Sequence, residues 1–292
     1  MQLIVELLLF GLTLGGLYAM MAMGLTLQYG VARIMHLAYG EWLVAAAFGA
    51  YAAFAYLHLN PLVTLVLSLP VGFGVNWIVY QVLLSPLVRR TNAGPALEID
   101  SLLATFGLLF VVQGVMQALF GGGYYSYSFA AEAVTVGEAR IAQNRLIMFG
   151  FTVLAGVSLY LFLARTRTGA AVRAVATAPG NAPLVGIDVR KVSAITFAAG
   201  GALVAAGGVL ASMFLTFSAS MGVIFTMKAL IVIIMGGAGN VLGAVVAGLL
   251  LGMSETLVAR LIDPGLTLAV NYLLFLMVLL WRPAGLFGRP AR

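Results

Sequence analysis

The side chains that carry covalent, redox or metal chemistry are scarce in this chain. Its 292 residues include no cysteine and two histidines, His36 and His58. Without thiols there are no disulfides, thiolate metal sites or iron–sulfur clusters, and two separated histidines do not make a histidine-rich metal or haem site. The clustered His, Asp and Glu side chains that a membrane enzyme or respiratory subunit needs are also missing. We therefore expect no catalytic residue and no bound metal.

Three charged residues stand inside or beside long apolar stretches, where an ionisable side chain is a functional candidate. Glu41 is interpreted first as an interfacial carboxylate paired with Arg33, and a place on a transport path is the alternative. Lys228 could extend to the outer surface, pair with Glu255 or Glu41, or meet a substrate carboxylate. Structural pairing is the favoured interpretation for Lys228, and we expect Glu255 near the outer end of its helix, close to Arg260.

The overall composition excludes a water-soluble domain and a disordered chain. Hydrophobic residues make up 63% of the sequence and charged residues 8%, whereas soluble domains carry about 45–50% and about 25%. A chain of this size cannot bury so much apolar surface by itself, and disordered chains have the opposite balance. We expect an all-α fold, a polytopic transmembrane helical bundle that forms a single domain over residues 1–292.

Charge-free stretches divide the chain into eight or nine membrane passes, since each pass needs roughly 20 apolar residues. The stretches are residues 7–32, 42–88, 101–131, 146–164, 192–227, 229–254 and 264–281. Residues 42–88 hold two passes, because the sequence from His58 to Pro61 favours a turn. Residues 192–227 exceed one upright span and break naturally at 218–222. The glycine-rich segment 222–243 is compatible with a full span, a half-helix or a re-entrant segment.

The positions of the basic residues predict the orientation in the membrane. One loop, which we place in the cytoplasm, contains Arg165, Arg167, Arg173, Arg190 and Lys191. The basic residues that alternation then places on the same side are Arg33, Arg89, Arg90, Arg282, Arg289 and Arg292. The N-terminus is expected outside and the C-terminus inside a bacterial-type inner (plasma) membrane. The net charge of +6 therefore has a topological role, and nucleic-acid binding is not expected.

The loop 165–191 is expected to be structured. Residues 170–178 are good helix formers that end at Pro179-Gly180. Asn181 can cap a second short turn that ends at Gly186, and Asp188 leads into the next span. An Ala-rich, mildly basic cytoplasmic helix fits a docking element for a soluble partner. It fits equally well an interfacial helix that has no partner.

A set of motifs in this order resembles one known family of transport proteins. The motifs lie at residues 11–30, 34–41, 167–176, 184–187, 195–200, 227–230, 236–244 and 282–289. Each motif alone is weak, but together they span most of the chain. The set resembles the permease subunits of ATP-binding cassette (ABC) importers, specifically the branched-chain amino-acid (LivH-like) family.

The resemblance implies partners that this chain needs for transport. They are a second, LivM-like permease subunit, two cytoplasmic ATPase subunits and an extracytoplasmic solute-binding protein. The transported solute would be a branched-chain amino acid or a related small polar solute, moved by alternating access. A phosphate-binding Gly-x-x-x-x-Gly-Lys-Ser/Thr loop is absent from the sequence, so ATP and Mg²⁺ are expected on the ATPases and no cofactor in this chain.

The resemblance also implies two groups of functional residues within the single permease domain. The ATPase-coupling loop would include Arg167, Thr168, Gly169, Arg173, Ala174, Ala176, Leu184, Gly186 and Ile187. The translocation path would include His36, Tyr39, Glu41, Lys228, Gly236, Gly237 and Gly239. The alternative function is a secondary transporter or channel that works alone. That alternative requires ion-coupling carboxylates deep within spans, and only Glu41 and Glu255 are candidates.

Overall fold

The computed structural model describes residues 2–91, 95–136 and 139–288. Within this part of the chain, eight helices are long and apolar enough to cross a membrane, so the expected polytopic helical bundle is confirmed. The helices are α1 (Gln2–Ala32), α2 (Tyr39–Leu57), α3 (Pro61–Val79), α4 (Ser85–Arg90), α5 (Pro95–Phe120), α6 (Gln143–Arg165), α7 (Arg167–Thr177), α8 (Val189–Ser212), α9 (Gly222–Gly236), α10 (Val241–Leu261) and α11 (Thr267–Trp281). The tail residues Arg289 and Arg292 lie outside the described residues.

Helix α1 lies at the centre of the bundle, where it packs against α10, α8 and α6. It runs antiparallel to α10, with Gly15 beside Leu249 and Gly30 beside Gly239. A methyl group at Gly252 would collide with the backbone of Gly15. Small residues therefore let the two backbones approach closely, which is how helices pack in lipid. Helices α1 and α8 are mostly buried, whereas α3, α5, α6 and α11 present long apolar faces outward.

The connection between α1 and α2, residues 33–38, runs along the inner face of α5. The amide of Met35 donates to the Ser101 hydroxyl at 3.3 Å, and the amide of Leu37 donates to the Thr105 hydroxyl at 3.1 Å. Thr105 lies in the third turn of α5. Helix α2 therefore begins beside the third turn of α5, and not beside the first residues of that helix.

Helix α9 is a short helix that does not cross a membrane by itself. Its 15 residues span about 22 Å, less than the hydrocarbon core of about 30 Å. Its first turn lies beside the start of α2, where the Gly40 amide donates to the Thr226 hydroxyl at 2.8 Å. Of the three arrangements open for residues 222–243, the structure shows a short helix that begins inside the bundle.

The glycine-rich sequence within the stretch 229–254 divides it into two helices. Helix α9 ends at Gly236, and the chain turns through Gly237 and Gly239, whose φ angles of 99° and 86° favour glycine. Helix α10 then begins at Val241, with the Asn240 side chain as its cap. Gly236 and Gly237 are buried but Ala238 and Gly239 are exposed, and no charged residue marks the turn, so hydrophobicity alone does not reveal the break.

Turn-forming residues predicted a break in the chain more reliably than hydrophobicity did. The break between α2 and α3 occurs as expected, with His58 at a φ of 51° and the Asn60 side chain accepting from the Leu62 amide at 2.9 Å. The π-helical turn Tyr80–Leu84 joins α3 to α4, so residues 61–90 form one span. Helix α5 begins before the expected residue 101 and carries Glu98 in its first turn.

A small antiparallel hairpin, absent from the sequence expectations, interrupts the long loop between α5 and α6. Its strands are β1 (Ala133–Val136) and β2 (Ala139–Ala142). Within the same loop, Tyr125 exchanges two backbone hydrogen bonds with Phe217, at 2.8 and 3.0 Å. This pairing ties the loop to the segment 213–221 that leads into α9.

Candidate functional site

Glu41 lies in the first turn of α2 and is fully buried. Neither oxygen of its carboxyl group has a hydrogen-bond partner among the described residues. The carboxyl group lies against the first residue of α9, Gly222, where even a methyl group would overlap it. The hydroxyl of Thr226, one turn further along α9, accepts from the Gly40 amide and donates to the Leu37 carbonyl at 3.0 Å. The starts of α2 and α9 therefore enclose an unpaired carboxyl group.

The expected interfacial pairing of Glu41 with Arg33 is wrong. Arg33 is exposed, and the one ion pair within the described part of the chain joins two other residues. The cause is the course of residues 33–38, which run along α5 before α2 begins. This course carries Glu41 into the bundle and leaves Arg33 at the end of α1.

His36 and Tyr39 are buried in the same region, and each is held by specific contacts. His36 Nδ1 bonds the side-chain oxygen of Gln28 at 3.0 Å, and the amide nitrogen of Gln28 donates to the Phe197 carbonyl at 2.9 Å. The Tyr39 hydroxyl donates to the Met21 carbonyl at 2.9 Å. These bonds fasten the start of α2 to α1 and α8. The sequence analysis did not single out Gln28, since a polar residue in an apolar span has no local signal of its partner.

Lys228, in the middle of α9, forms a buried ion pair with Glu255 of α10. Its ammonium group lies 2.7 and 2.9 Å from the two carboxylate oxygens and donates to the Tyr18 hydroxyl at 2.6 Å. Tyr18 and the Asn271 amide in turn donate to Glu255, at 2.9 and 3.0 Å. The favoured pairing of Lys228 is therefore confirmed, but Glu255 faces this cluster and not Arg260. The cluster joins α1, α9, α10 and α11, and sequence reasoning missed Tyr18 and Asn271.

Gly236, Gly237 and Gly239 form the turn at the far end of α9. Residues 283–288 pack into this turn, with the amides of Leu286 and Phe287 donating to the carbonyls of Met235 and Gly236 at 2.8 and 3.2 Å. Gly236 also packs closely on Gly243, where a side chain would collide with backbone. The three glycines permit a tight turn and close helix packing, and this structural role accounts for them without a transport path.

The residues expected on the translocation path thus fall into separate places. Glu41 touches the first turn of α9, Lys228 lies in its middle, and the three glycines lie at its end. His36 and Tyr39, near the start of α2, bond α1 and α8 instead. The structure does not bring these residues into one pocket.

The segment expected to couple to an ATPase is folded, as its sequence predicted. Helix α7 begins at Arg167, one residue after Thr166, whose hydroxyl accepts from the Gly169 amide at 2.9 Å. Val172 and Val175 are buried and pack on Val31 of α1 and Val192 of α8. Arg173, Thr168 and Arg167 are exposed, whereas Ala174 and Ala176 are partly buried. Helix α7 therefore lies flat on the bundle with a basic, exposed face.

A second short turn follows α7. The 3₁₀ turn Ala182–Val185 ends at Gly186, whose φ is 78°, and the Ile187 amide returns to the Ala182 carbonyl at 3.2 Å. The expected cap by the Asn181 side chain is wrong, because that side chain makes no capping bond. Leu184 and Val185 project outward, with 84% and 74% of their surface exposed.

Further along α2 from Glu41, an aromatic cluster is formed by Phe48, Phe120, Tyr125 and Phe217. Phe48, two turns beyond Glu41, is fully buried and stacks on Phe120 with ring centres 4.4 Å apart. Tyr125 and Phe217 contact Phe48 edge-on at 5.3 and 5.1 Å. The cluster separates the start of α2 from the hairpin loop.

Tyr127, beside this cluster, anchors the hairpin loop to α8. Its hydroxyl is 2.9 Å from the Ser212 hydroxyl, and its ring stacks on Phe54. Burial raises the pKa of the Tyr127 hydroxyl more than the bond to Ser212 lowers it. The hydroxyl therefore stays protonated at neutral pH and remains a neutral hydrogen-bonding group.

Comparisons with known proteins agree with this architecture. A family model described as "Branched-chain amino acid transport system / permease component" matches residues 7–280. The high-affinity branched-chain amino acid transport system permease protein LivH of Escherichia coli (strain K12) is 28% identical over 96% of this chain and 94% of its own length. The corresponding permease protein BraD of Pseudomonas aeruginosa is 29% identical over the same shares. A probable LivH permease of Methanocaldococcus jannaschii is 27% identical over 83% of this chain and 77% of its own. No solved structure gives a match.

Proposed function

The chain belongs to the family of branched-chain amino acid transport permeases, and from that premise we propose that it is the membrane-spanning subunit of an ATP-driven importer. The match over residues 7–280 carries the proposal. The cargo is a branched-chain amino acid or a related small polar solute. The complete importer contains a second, LivM-like permease, two cytoplasmic ATPases that bind ATP and Mg²⁺, and an external solute-binding protein. The chain lies in a bacterial-type inner membrane, with its N-terminus outside.

Helix α7 and the 3₁₀ turn after it form the surface that contacts an ATPase. The buried Val172 and Val175 hold α7 on the bundle, so a force applied to it reaches α1 and α8 without being lost in a flexible loop. Leu184 and Val185 expose apolar side chains at the tip of the segment, and Arg173 adds a positive charge. Apolar side chains with a charged neighbour are what a protein partner covers when it docks.

The transport path passes the first turn of α9, beside Glu41. In the described conformation this region is closed, because His36, Tyr39 and Glu41 are all fully buried. Movement of α9 relative to α2 opens it during alternating access. Residues 283–288 contact the other end of α9. A displacement of these residues on the proposed cytoplasmic side would therefore move α9.

Co-purification tests the assembly directly. The tagged chain is expressed with its neighbouring genes, extracted in detergent, and its stoichiometric partners are identified by mass spectrometry. We expect two ATPase chains with the wild type and their loss in Arg173→Glu and in Leu184→Asp, because both changes alter the exposed surface while leaving Val172 and Val175 in place. Arg140→Glu is the matched control, since this exposed residue lies in the hairpin loop on the opposite side.

The same preparation discriminates the alternative function. A chain that purifies alone and moves leucine into liposomes without ATP is a secondary transporter, and the importer proposal is then wrong. ATP-dependent uptake that requires the co-purified chains supports the importer. Retention of both ATPases by Arg173→Glu and Leu184→Asp would exclude α7 and its following turn as the contact surface.

A further inference from the structure

The carboxyl group of Glu41 is the strongest unexplained feature in the interior. It is completely buried, both of its oxygens lack a hydrogen-bond partner among the described residues, and it touches the first residue of α9. Burying a carboxylate without partners is costly in a protein interior, and more so at membrane depth. A buried polar group left in this condition calls for an explanation, such as a functional role or a bound water or ion.

The first turn of α9 makes this position suitable for charged groups. The first amides of a helix have no acceptor within the helix, and the helix dipole favours negative charge there. Helix α9 starts inside the bundle and not at its surface, since Gly40 of α2 bonds Thr226. Membrane carriers with discontinuous helices use such inner helix ends to hold anionic groups of their cargo. In this closed conformation the Glu41 carboxyl itself fills the space in front of Gly222, where any side chain would overlap it, so a cargo group enters only when α9 moves away from α2.

We propose that Glu41 binds the α-ammonium group of the transported amino acid and that the first-turn amides of α9, at Gly222 and Val223, bind its α-carboxylate. This inference rests on the proposed function and adds the chemistry of recognition. An ammonium group supplies the donors that the two carboxylate oxygens lack. The cargo's ammonium group would neutralise Glu41, and the first turn of α9 would neutralise the cargo's carboxylate. The amino acid would therefore enter the bundle at a lower desolvation cost than an isolated ammonium or carboxylate group.

The surroundings favour an apolar side chain on the cargo. Val44, three residues beyond Glu41 on α2, and Phe225, three residues beyond Gly222 on α9, are both buried and apolar. Lys228 does not compete for the cargo's carboxylate, because its ammonium group is already bonded to Glu255 and Tyr18. The recognised class is therefore an α-amino acid with an apolar side chain.

The first experiment uses the wild-type importer, complete with its binding protein, in lipid nanodiscs. Dicyclohexylcarbodiimide, which reacts with buried carboxyl groups, is added during ATP turnover, and labelled peptides are mapped by mass spectrometry. We expect leucine to slow labelling of Glu41, while isocaproate, which lacks the ammonium group, does not; Glu255 is the internal control. Labelling of Glu41 that leucine leaves unchanged, that simple salts slow equally, or that never occurs would overturn the proposal.

The second experiment measures ATP-dependent leucine uptake by Glu41→Gln in proteoliposomes. We expect a loss of about tenfold to hundredfold, the effect of removing one charged hydrogen bond. Glu98→Gln, the same change at a partly exposed site on α5, should stay within about twofold of wild type. Wild-type uptake by Glu41→Gln overturns the inference while leaving the importer intact, whereas absence of uptake by the wild type contradicts the proposed function itself. If Glu41→Gln does not assemble, the labelling result in the wild type decides.

Discussion

Removing the charge of Lys228 should destabilise the bundle, because it leaves Glu255 buried without its cation. The ammonium nitrogen and the nearer carboxylate oxygen are 2.7 Å apart, which corresponds to about 6 kcal/mol of attraction at an effective dielectric constant of about 20. Part of that attraction offsets the cost of burying both charges, and breaking one side of a buried pair costs about 3–5 kcal/mol. Tyr18 and Asn271 still donate to Glu255, so we expect about 3 kcal/mol for Lys228→Met.

The assay is reversible unfolding in mixed micelles, in which a denaturing detergent is titrated and the free energy of unfolding is extrapolated. The double variant Lys228→Met with Glu255→Met removes both charges and should lie within about 1 kcal/mol of wild type, since apolar replacement of a buried pair is often neutral. Lys191→Met, on the exposed first turn of α8, is the matched control. The reasoning is refuted if Lys228→Met unfolds like the control, or if the double variant is as unstable as the two single losses added together.

Two further predictions use the same unfolding assay. Gly252→Ala should lower the free energy of unfolding by about 1–3 kcal/mol, because the added methyl group meets the backbone of Gly15. Gly114→Ala, in open space on α5, should be neutral or slightly stabilising, and equal effects of the two variants would refute the close approach of α1 and α10. Asn60→Ala should cost about 1 kcal/mol through loss of the cap on α3, whereas Asn181→Ala should change little because that side chain makes no capping bond; a larger loss at Asn181 would contradict the assignment of caps.

Local signals in the sequence predicted a large part of the fold. The break from His58 to Pro61 depends on a turn and a cap formed by neighbouring residues, and the structure places it as expected. The helix before Pro179 and the turn ending at Gly186 follow from capping and backbone preferences in the same way. Contacts over a few residues decide such features, so they can be read without knowledge of the rest of the chain.

Features that depend on distant partners were only partly predictable. Charge alone indicated that Lys228 pairs with an acidic residue, but Tyr18 and Asn271 come from helices far away in the chain. The supposed pairing of Glu41 with Arg33 failed because residues 33–38 follow hydrogen-bond partners on α5 that the sequence nearby does not reveal. A short separation in sequence therefore did not imply a short separation in space.

The sequence by itself determined a membrane protein of apolar helices, the number of its spans to within one, and a folded segment at residues 165–191, because hydrophobicity and local turns act over one helix at a time. Only the tertiary structure decided that α9 begins inside the bundle, that it faces an unpaired Glu41, and that Lys228 is bonded to two other helices, α1 and α10. In an apolar chain every segment is hydrophobic enough to be buried, so close packing and the few polar contacts, not hydrophobicity, select which helices meet.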